Sequence, residues 1–176
     1  MATTKWALDP THSELQFKVK HLMITTVTGS LKSFSAELSS ESDEFTDATI
    51  SFSGDINSLD TSNTDRDNHL KSGDFFDAEK FPKMDFKSTS VEKDGSDLII
   101  KGDLTIKETT KPVKLTAEFG GIATDPWGNT KAGFTLNTKI NRTDFGLTWN
   151  AALETGGVMV SEEVRILGEL QFIKGA

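Results

Sequence analysis

The apolar residues of this chain recur at every second position, in run after run, and that period decides most of what it can fold into. Leu15, Phe17, Val19 and His21 share one face, with Gln16, Lys18 and Lys20 on the other. The same alternation carries Phe34, Ala36 and Leu38, then Ala48, Ile50, Phe52, Gly54 and Ile56. It returns in Leu98, Ile100, Gly102, Leu104 and Ile106, and again in Val113, Leu115, Ala117 and Phe119. Phe134, Leu136, Thr138 and Ile140 form another run, as do Val164, Ile166, Gly168, Leu170 and Phe172, and Met84 and Phe86 start one more after Pro82. A period of two places successive side chains on opposite faces of an extended strand. The runs predict about eight strands, apolar on one face only, which is the antiparallel pattern. Such faces must be buried together, in a sandwich or in a closed barrel. A barrel of about eight strands has room for one small ligand.

The breaks between runs are equally readable. Lys93-Asp94-Gly95-Ser96 predicts a hairpin turn and Asp125-Pro126-Trp127-Gly128-Asn129 a second turn. Gly54, Gly102 and Gly168 fall in phase with the apolar face and suit sharp bends of a barrel wall. Helix is confined to one window. Ser62 is the expected N-cap, residues 63 to 72 the helix and Gly73 its stop, and Asp74 caps a second short turn ending at Phe81-Pro82. The expectation is a single all-β domain over residues 1–176, with one or two short helices.

Charge and composition close off several functions. The chain has 176 residues and a net charge of −8, so it lacks the basic face that phosphate backbones need and is repelled by anionic membranes. There is no cysteine, which removes disulfides, thiolate metal sites and thiol nucleophiles. No run reaches transmembrane length, and the opening MATTKWALDPTHS has no apolar leader core. The expectation is a cytoplasmic protein with no nucleic-acid partner and no membrane insertion. His12, His21 and His69 form no paired metal motif, and no serine sits in a nucleophile elbow. Neither a metal nor a cofactor is expected.

The densest polar cluster is Thr64 to Phe86, where Arg66, Asp67 and His69 precede several phenylalanines. On a helix Arg66, His69 and Leu70 share a face. If Leu70 packs down, the two polar side chains look into the barrel. His21 reaches the interior by strand phase. These residues predict a polar head-group site of His21, Arg66 and His69, oriented by Asp67 and Asn150, at one end of an apolar cavity. Phe17, Val19, Phe34, Phe52, Phe76, Phe86, Leu104, Phe119, Phe134, Leu136 and Trp149 are the expected cavity lining. The competing readings are a core histidine held by backbone and a solvated, mixed-charge helix.

Several ordered segments carry a family resemblance. They are Trp6-Ala7-Leu8-Asp9-Pro10-Thr11-His12-Ser13, Phe17 to Leu22, Thr64 to Ser72 and Phe75 to Pro82. They continue with Leu104-Thr105-Ile106, Thr110 to Val113, Asn141 to Leu147, Trp149-Asn150 and Leu153 to Val160. The chain resembles the YceI-like, polyisoprenoid-binding family over nearly its whole length. The resemblance implies a lipocalin-like, eight-stranded antiparallel barrel around a long apolar cavity. It implies as ligand a polyisoprenoid, its phosphate or quinone, or a fatty-chain lipid. It also implies a homodimer, for which the long strand of residues 158 to 173 offers a pairing edge. It implies no enzyme mechanism. An enzyme using His21, Arg66 and His69 for acid–base work, and a stress-related protein with no specific ligand, are the alternatives.

Overall fold

The computed structural model describes residues 3–22, 24–41, 45–73, 75–147 and 160–175, and for His21 the backbone alone. The strands are β1 (Thr4–Leu8), β2 (Glu14–His21), β3 (Thr25–Leu31), β4 (Phe34–Ser40), β5 (Thr49–Asp55) and β6 (Leu59–Asp60). After the helix α1 (Thr64–Lys71) come β7 (Lys83–Asp94), β8 (Asp97–Ile106), β9 (Thr109–Thr124), β10 (Thr130–Asn141) and β11 (Val160–Lys174). All belong to one antiparallel sheet.

These segments make eight staves, because three staves are each broken once. β1 and β2 are one stave, kinked by a 3-10 turn at Pro10–His12, and both pair with β11. β3 and β4 are the next, bent at Lys32-Ser33: β3 pairs with β2 and β4 with β1. β5 and β6 are the third, kinked by a 3-10 turn at Ile56–Ser58. Two of the kinks are tied side by side, Lys32 N donating to Ser58 O at 3.1 Å and Asp55 N to Ser33 O at 2.9 Å. From β7 to β11 each strand pairs with the next, and β11 closes the barrel on β1 and β2. The eight-stranded antiparallel barrel with a short helix is therefore the fold. From Val160 on, β11 is paired with β10 on one side and with β1 and β2 on the other; residues 158 and 159 of the expected pairing edge lie outside the described residues.

The alternation missed β1, β3 and β6. In β3, Thr25-Thr26-Val27-Thr28-Gly29-Ser30-Leu31, threonines mask the period and Gly29 stands where an apolar side chain was needed. Gly29 gives its space to Phe17, whose Cζ would lie 2.2 Å from a Cβ there. In β1 the signal is a single residue, Trp6, which is buried. The helix start also moves. Asn63, not Ser62, is the N-cap, its side chain accepting from Arg66 N at 3.0 Å, while Ser62 takes a left-handed φ of 65°. Asp65 and Asp67 in the first turn and His69 and Lys71 in the last complement the helix dipole. The helix stops at Ser72, whose N–H and hydroxyl both reach His69 O. The expected Asp74 cap lies outside the described residues. Beyond it Lys80 N and Phe81 N donate to Asp77 O, a turn rather than a second helix.

The barrel interior is apolar along most of its length. At the end away from α1, Phe45 fills the mouth between staves. Its ring meets Trp6 at 5.4 Å, Phe119 at 5.4 Å and Phe134 at 5.3 Å, and it holds a left-handed φ of 63°. Such a backbone costs a bulky residue energy, so it persists where packing over-determines it.

Candidate functional site

Two compartments lie along the barrel axis. The inner one, about 110 Å³, is lined by residues such as Phe34, Phe52, Phe86, Leu104, Phe134 and Leu136 and ends at Phe45. The outer one, about 420 Å³, lies under α1 and includes Phe17, Val19, Phe75, Phe76 and Leu70. Both are bounded by Leu15, Met84, Ile140 and Ile166, which form the waist between them. Phe119 is absent from both linings. It lies opposite Phe134 across the β9–β10 ladder, stacks on it at 5.3 Å and meets Phe45 at 5.4 Å, at the stoppered end. Trp149 and Asn150 lie outside the described residues.

The polar side chains gather at the α1 end. Asp65, Arg66, His69 and Leu70 all border the outer compartment, as helical phase requires. Asp67 reaches Arg66 through Thr61. Its Oδ1 accepts from Thr61 N at 2.8 Å and Thr61 Oγ1 at 2.5 Å. The same Thr61 hydroxyl accepts from Arg66 Nε at 2.8 Å, and Arg66 Nη2 donates to Thr61 O at 2.6 Å. A buried threonine thus joins Asp67 to Arg66 and fixes the guanidinium at the rim, where Arg66 remains exposed. The rings of His69 and Phe75 meet edge to face, with centroids 5.1 Å apart. The backbone of His21 ends β2 opposite Val160, at this same end of the barrel.

Sequence reasoning missed the most buried polar group here. Arg142 is only 3% exposed, yet it lines the outer compartment. Its Nε donates to Ser161 O at 2.9 Å, Nη1 to Leu147 O at 2.5 Å and Nη2 to Val160 O at 3.3 Å. Its guanidinium lies over the Phe75 ring at 5.9 Å, a cation–π contact. Burial lowers its pKa from the ordinary arginine value, and the nearby Glu162 opposes that shift. The local fold is built for it: Asn141 caps a 3-10 turn at Arg142–Phe145, and Gly146, at φ 80°, lets the chain reverse. The signal was present as one of three arginines, set in Asn141-Arg142-Thr143-Asp144-Phe145-Gly146-Leu147.

A second polar cluster lies outside the cavity. Asp9, buried, accepts from Lys131 Nζ at 2.8 Å and from Thr11 N and Oγ1, and meets His12 Nδ1 at 2.8 Å. The Lys131 hydrogen bond holds the Asp9 carboxyl well below the usual range against the opposing effect of burial, helped by Thr11 and His12. This cluster clamps the β1–β2 kink to β10. Among the described residues no group of His, Asp and Glu could hold a metal ion, and no helix is long and apolar enough to cross a membrane.

A closed barrel with a long apolar interior and a polar rim defines the lipocalin-like class. Within that class the chain belongs to the family of the YceI-like domain, whose pattern matches residues 6–172. It is 39% identical to a UPF0312 protein of Staphylococcus epidermidis over 170 residues, 96% of this chain and 97% of that one. Among solved structures it is similar to the Campylobacter jejuni YceI protein, with a TM-score of 0.73 and 34% identity over 89% of this chain and 90% of that chain. It shares the fold of Burkholderia cenocepacia BcnA, with a TM-score of 0.81 and 22% identity over 93% of this chain and 98% of that chain. It shares the fold too of a polyisoprenoid binding domain from Saccharophagus degradans, with a TM-score of 0.69 and 15% identity over 97% and 98% of the two chains.

Proposed function

We propose that the barrel holds one long-chain amphiphile, a polyisoprenoid or its phosphate or quinone, or a fatty-chain lipid, with its tail along the axis and its head at the α1 end. The observation that carries this reading is the shared waist of Leu15, Met84, Ile140 and Ile166, which makes the two compartments one apolar path. Arg66 and His69, with the buried Arg142, border the outer compartment under α1. The family and the Saccharophagus degradans domain fit a lipid ligand.

The volumes add a requirement. The inner compartment, about 110 Å³, is much the smaller of the two, against about 420 Å³ under α1. A longer tail enters the inner compartment by moving side chains, and flexible Met84 at the waist is suited to give way.

Organic extraction of the purified protein followed by native mass spectrometry tests the reading, together with titration of chains of increasing length. Co-purified long amphiphiles, or affinity rising with chain length until the path is filled, are the expected results. Failure to bind any apolar chain would overturn it.

A further inference from the structure

The outer wall of the barrel has a hollow that the cavity does not use. It lies on β9, β10 and β11 beyond Phe119 and Phe134, beside the kink between β1 and β2, and encloses about 450 Å³. Its floor is bare backbone. Gly121 and Gly133 stand opposite each other across β9 and β10, and Gly133 has Gln171 opposite it on β11. Gly121 takes a φ of 110°, which only glycine adopts readily. Gly133 has no such need: its φ lies outside that region, and a Cβ built there meets nothing within 4 Å. Glycine weakens a strand interior, yet neither backbone nor packing calls for it at 133. What it supplies is space on the outer face, because its neighbours Ala132 and Phe134 are buried and point inward.

Neutral polar groups and one large ring border this space. Trp127, in the turn between β9 and β10, is 83% exposed. Its backbone is fixed: Asp125 Oδ1 accepts from Trp127 N and Asn129 N at 2.9 Å each, and Asp125 N donates to Asn129 O at 2.9 Å. His12 enters from the kink, oriented by its Nδ1 contact with Asp9 at 2.8 Å. Among the described residues the Trp127 indole N–H, His12 Nε2 and the Gln171 side-chain amide are in no hydrogen bond. The charges, by contrast, are spent on one another. Lys131 Nζ donates to Asp9 at 2.8 Å and lies 3.7 Å from Asp125, which also accepts from Asn129 Nδ2 at 3.3 Å. One ammonium between two carboxylates leaves no cation for a phosphate. Both carboxylates are engaged, which disfavours an amine.

We propose that this hollow binds a neutral sugar, stacked on Trp127 and hydrogen-bonded by His12 and Gln171. A sugar ring has one face of C–H groups and a rim of hydroxyls that both donate and accept. The C–H face suits the indole, which is apolar in its body and carries one donor at its edge. The hydroxyls suit a set of neutral groups that offers both donors and acceptors. The bare floor at Gly133 lets the ring approach the backbone closely. None of the residues bordering the hollow borders either compartment of the cavity. The sugar site and the lipid site therefore succeed or fail independently.

NMR titration of the isotope-labelled full chain with a panel of neutral oligosaccharides, among them maltose, cellobiose and the dimer of N-acetylglucosamine, tests it. At least one is expected to shift the Trp127 indole N–H and the amides of Gly121 and Gly133 saturably, with the amides along the cavity unmoved. Trp127→Ala, at an exposed position, is expected to weaken that binding about tenfold or more. Gly133→Val is expected to abolish it while melting no lower than the wild type, since valine favours strand backbone. Competition between the free sugar and the same sugar on a glycolipid in phosphatidylcholine vesicles tells a soluble glycan from a lipid-borne one, and either supports the site. A panel with no member that shifts these signals, or shifts that survive both variants, would overturn the proposal. So would a Gly133→Val protein that melts well below the wild type, because the glycine would then serve the barrel.

Discussion

Arg66 and Arg142 border the same compartment, but their surroundings assign them different work. Arg66 is exposed and braced through Thr61, so its charge can be removed without burying an unpaired group. Its side chain should matter to an anionic head group by about 1.5–3 kcal/mol. Arg66→Ala is expected to weaken binding of a carboxylate or phosphate lipid roughly tenfold or more, by titration. It should cost about 1 kcal/mol of stability in denaturant melts, for the lost Thr61 bonds. If affinity is unchanged per folded molecule while stability falls, the rim arginine is a brace alone. Arg142 is different in kind. It serves the carbonyls of Leu147, Val160 and Ser161 in a buried setting. Arg142→Leu is expected to cost at least about 3 kcal/mol in the same melts, since several buried acceptors are stranded at about 1–3 kcal/mol each. Lysine should rescue little of it, because an ammonium cannot reproduce the planar fork. The sequence made Arg66 legible because helical phase tied it to Leu70. It left Arg142 unread because its role depends on carbonyls contributed by β11 and by the turn after it, which no local pattern reports.

At the scale of elements, the kinks are where local signals ended and tertiary contacts took over. The runs in β2, β8 and β10 were plain because most positions of one face are apolar, with only Gly102 and Thr138 interrupting the longer two. β3 was hidden because Phe17 fills the space over Gly29 from the neighbouring strand. The β1–β2 kink rests on Asp9, and that gives it a pH dependence. The Asp9 carboxyl is held below its ordinary value by Lys131. Its contribution to stability is therefore fully present above the unfolded value, near ~3.9, and is lost as pH falls through the lower folded one. Asp9→Asn is expected to lower the melting temperature at neutral pH, and its deficit relative to wild type should shrink as pH drops below about 4. A deficit that stays constant into acid would show that charge is not what Asp9 contributes. At the opposite end of β4, Phe45 stoppers the barrel. Phe45→Ala is expected to cost about 3–5 kcal/mol and to open the inner compartment, so that longer chains gain affinity relative to short ones.

At the scale of the whole molecule, the inner and outer compartments make chain length the quantity the barrel measures. Phe52 lines the inner compartment, and Phe52→Trp is expected to weaken long chains more than short ones. Equal loss at every length in the same titrations would contradict an axial path. The eight one-sided runs allowed a sandwich or a closed barrel, since their apolar faces must be buried together, and the family resemblance pointed to the barrel. The capacity of the interior could not be expected, because it depends on how Phe45, Met84 and Phe134 share the axis, and period says nothing of volume. One feature of the closure reaches beyond the native state. The stave of β1 and β2 is sealed by β11, so that Ser13 Oγ bonds Gln171 O across 158 positions. A chain emerging from the ribosome can lay down the staves from β1–β2 to β10 in sequence, each on the one before, yet its greasy lumen stays open along one seam until the final strand arrives. Closing that seam joins segments of very large sequence separation, the kind of contact that folds slowly. During translation the same surface that later shelters a lipid is an uncovered adhesive strip, and a chaperone or the ligand itself would find it there before β11 does.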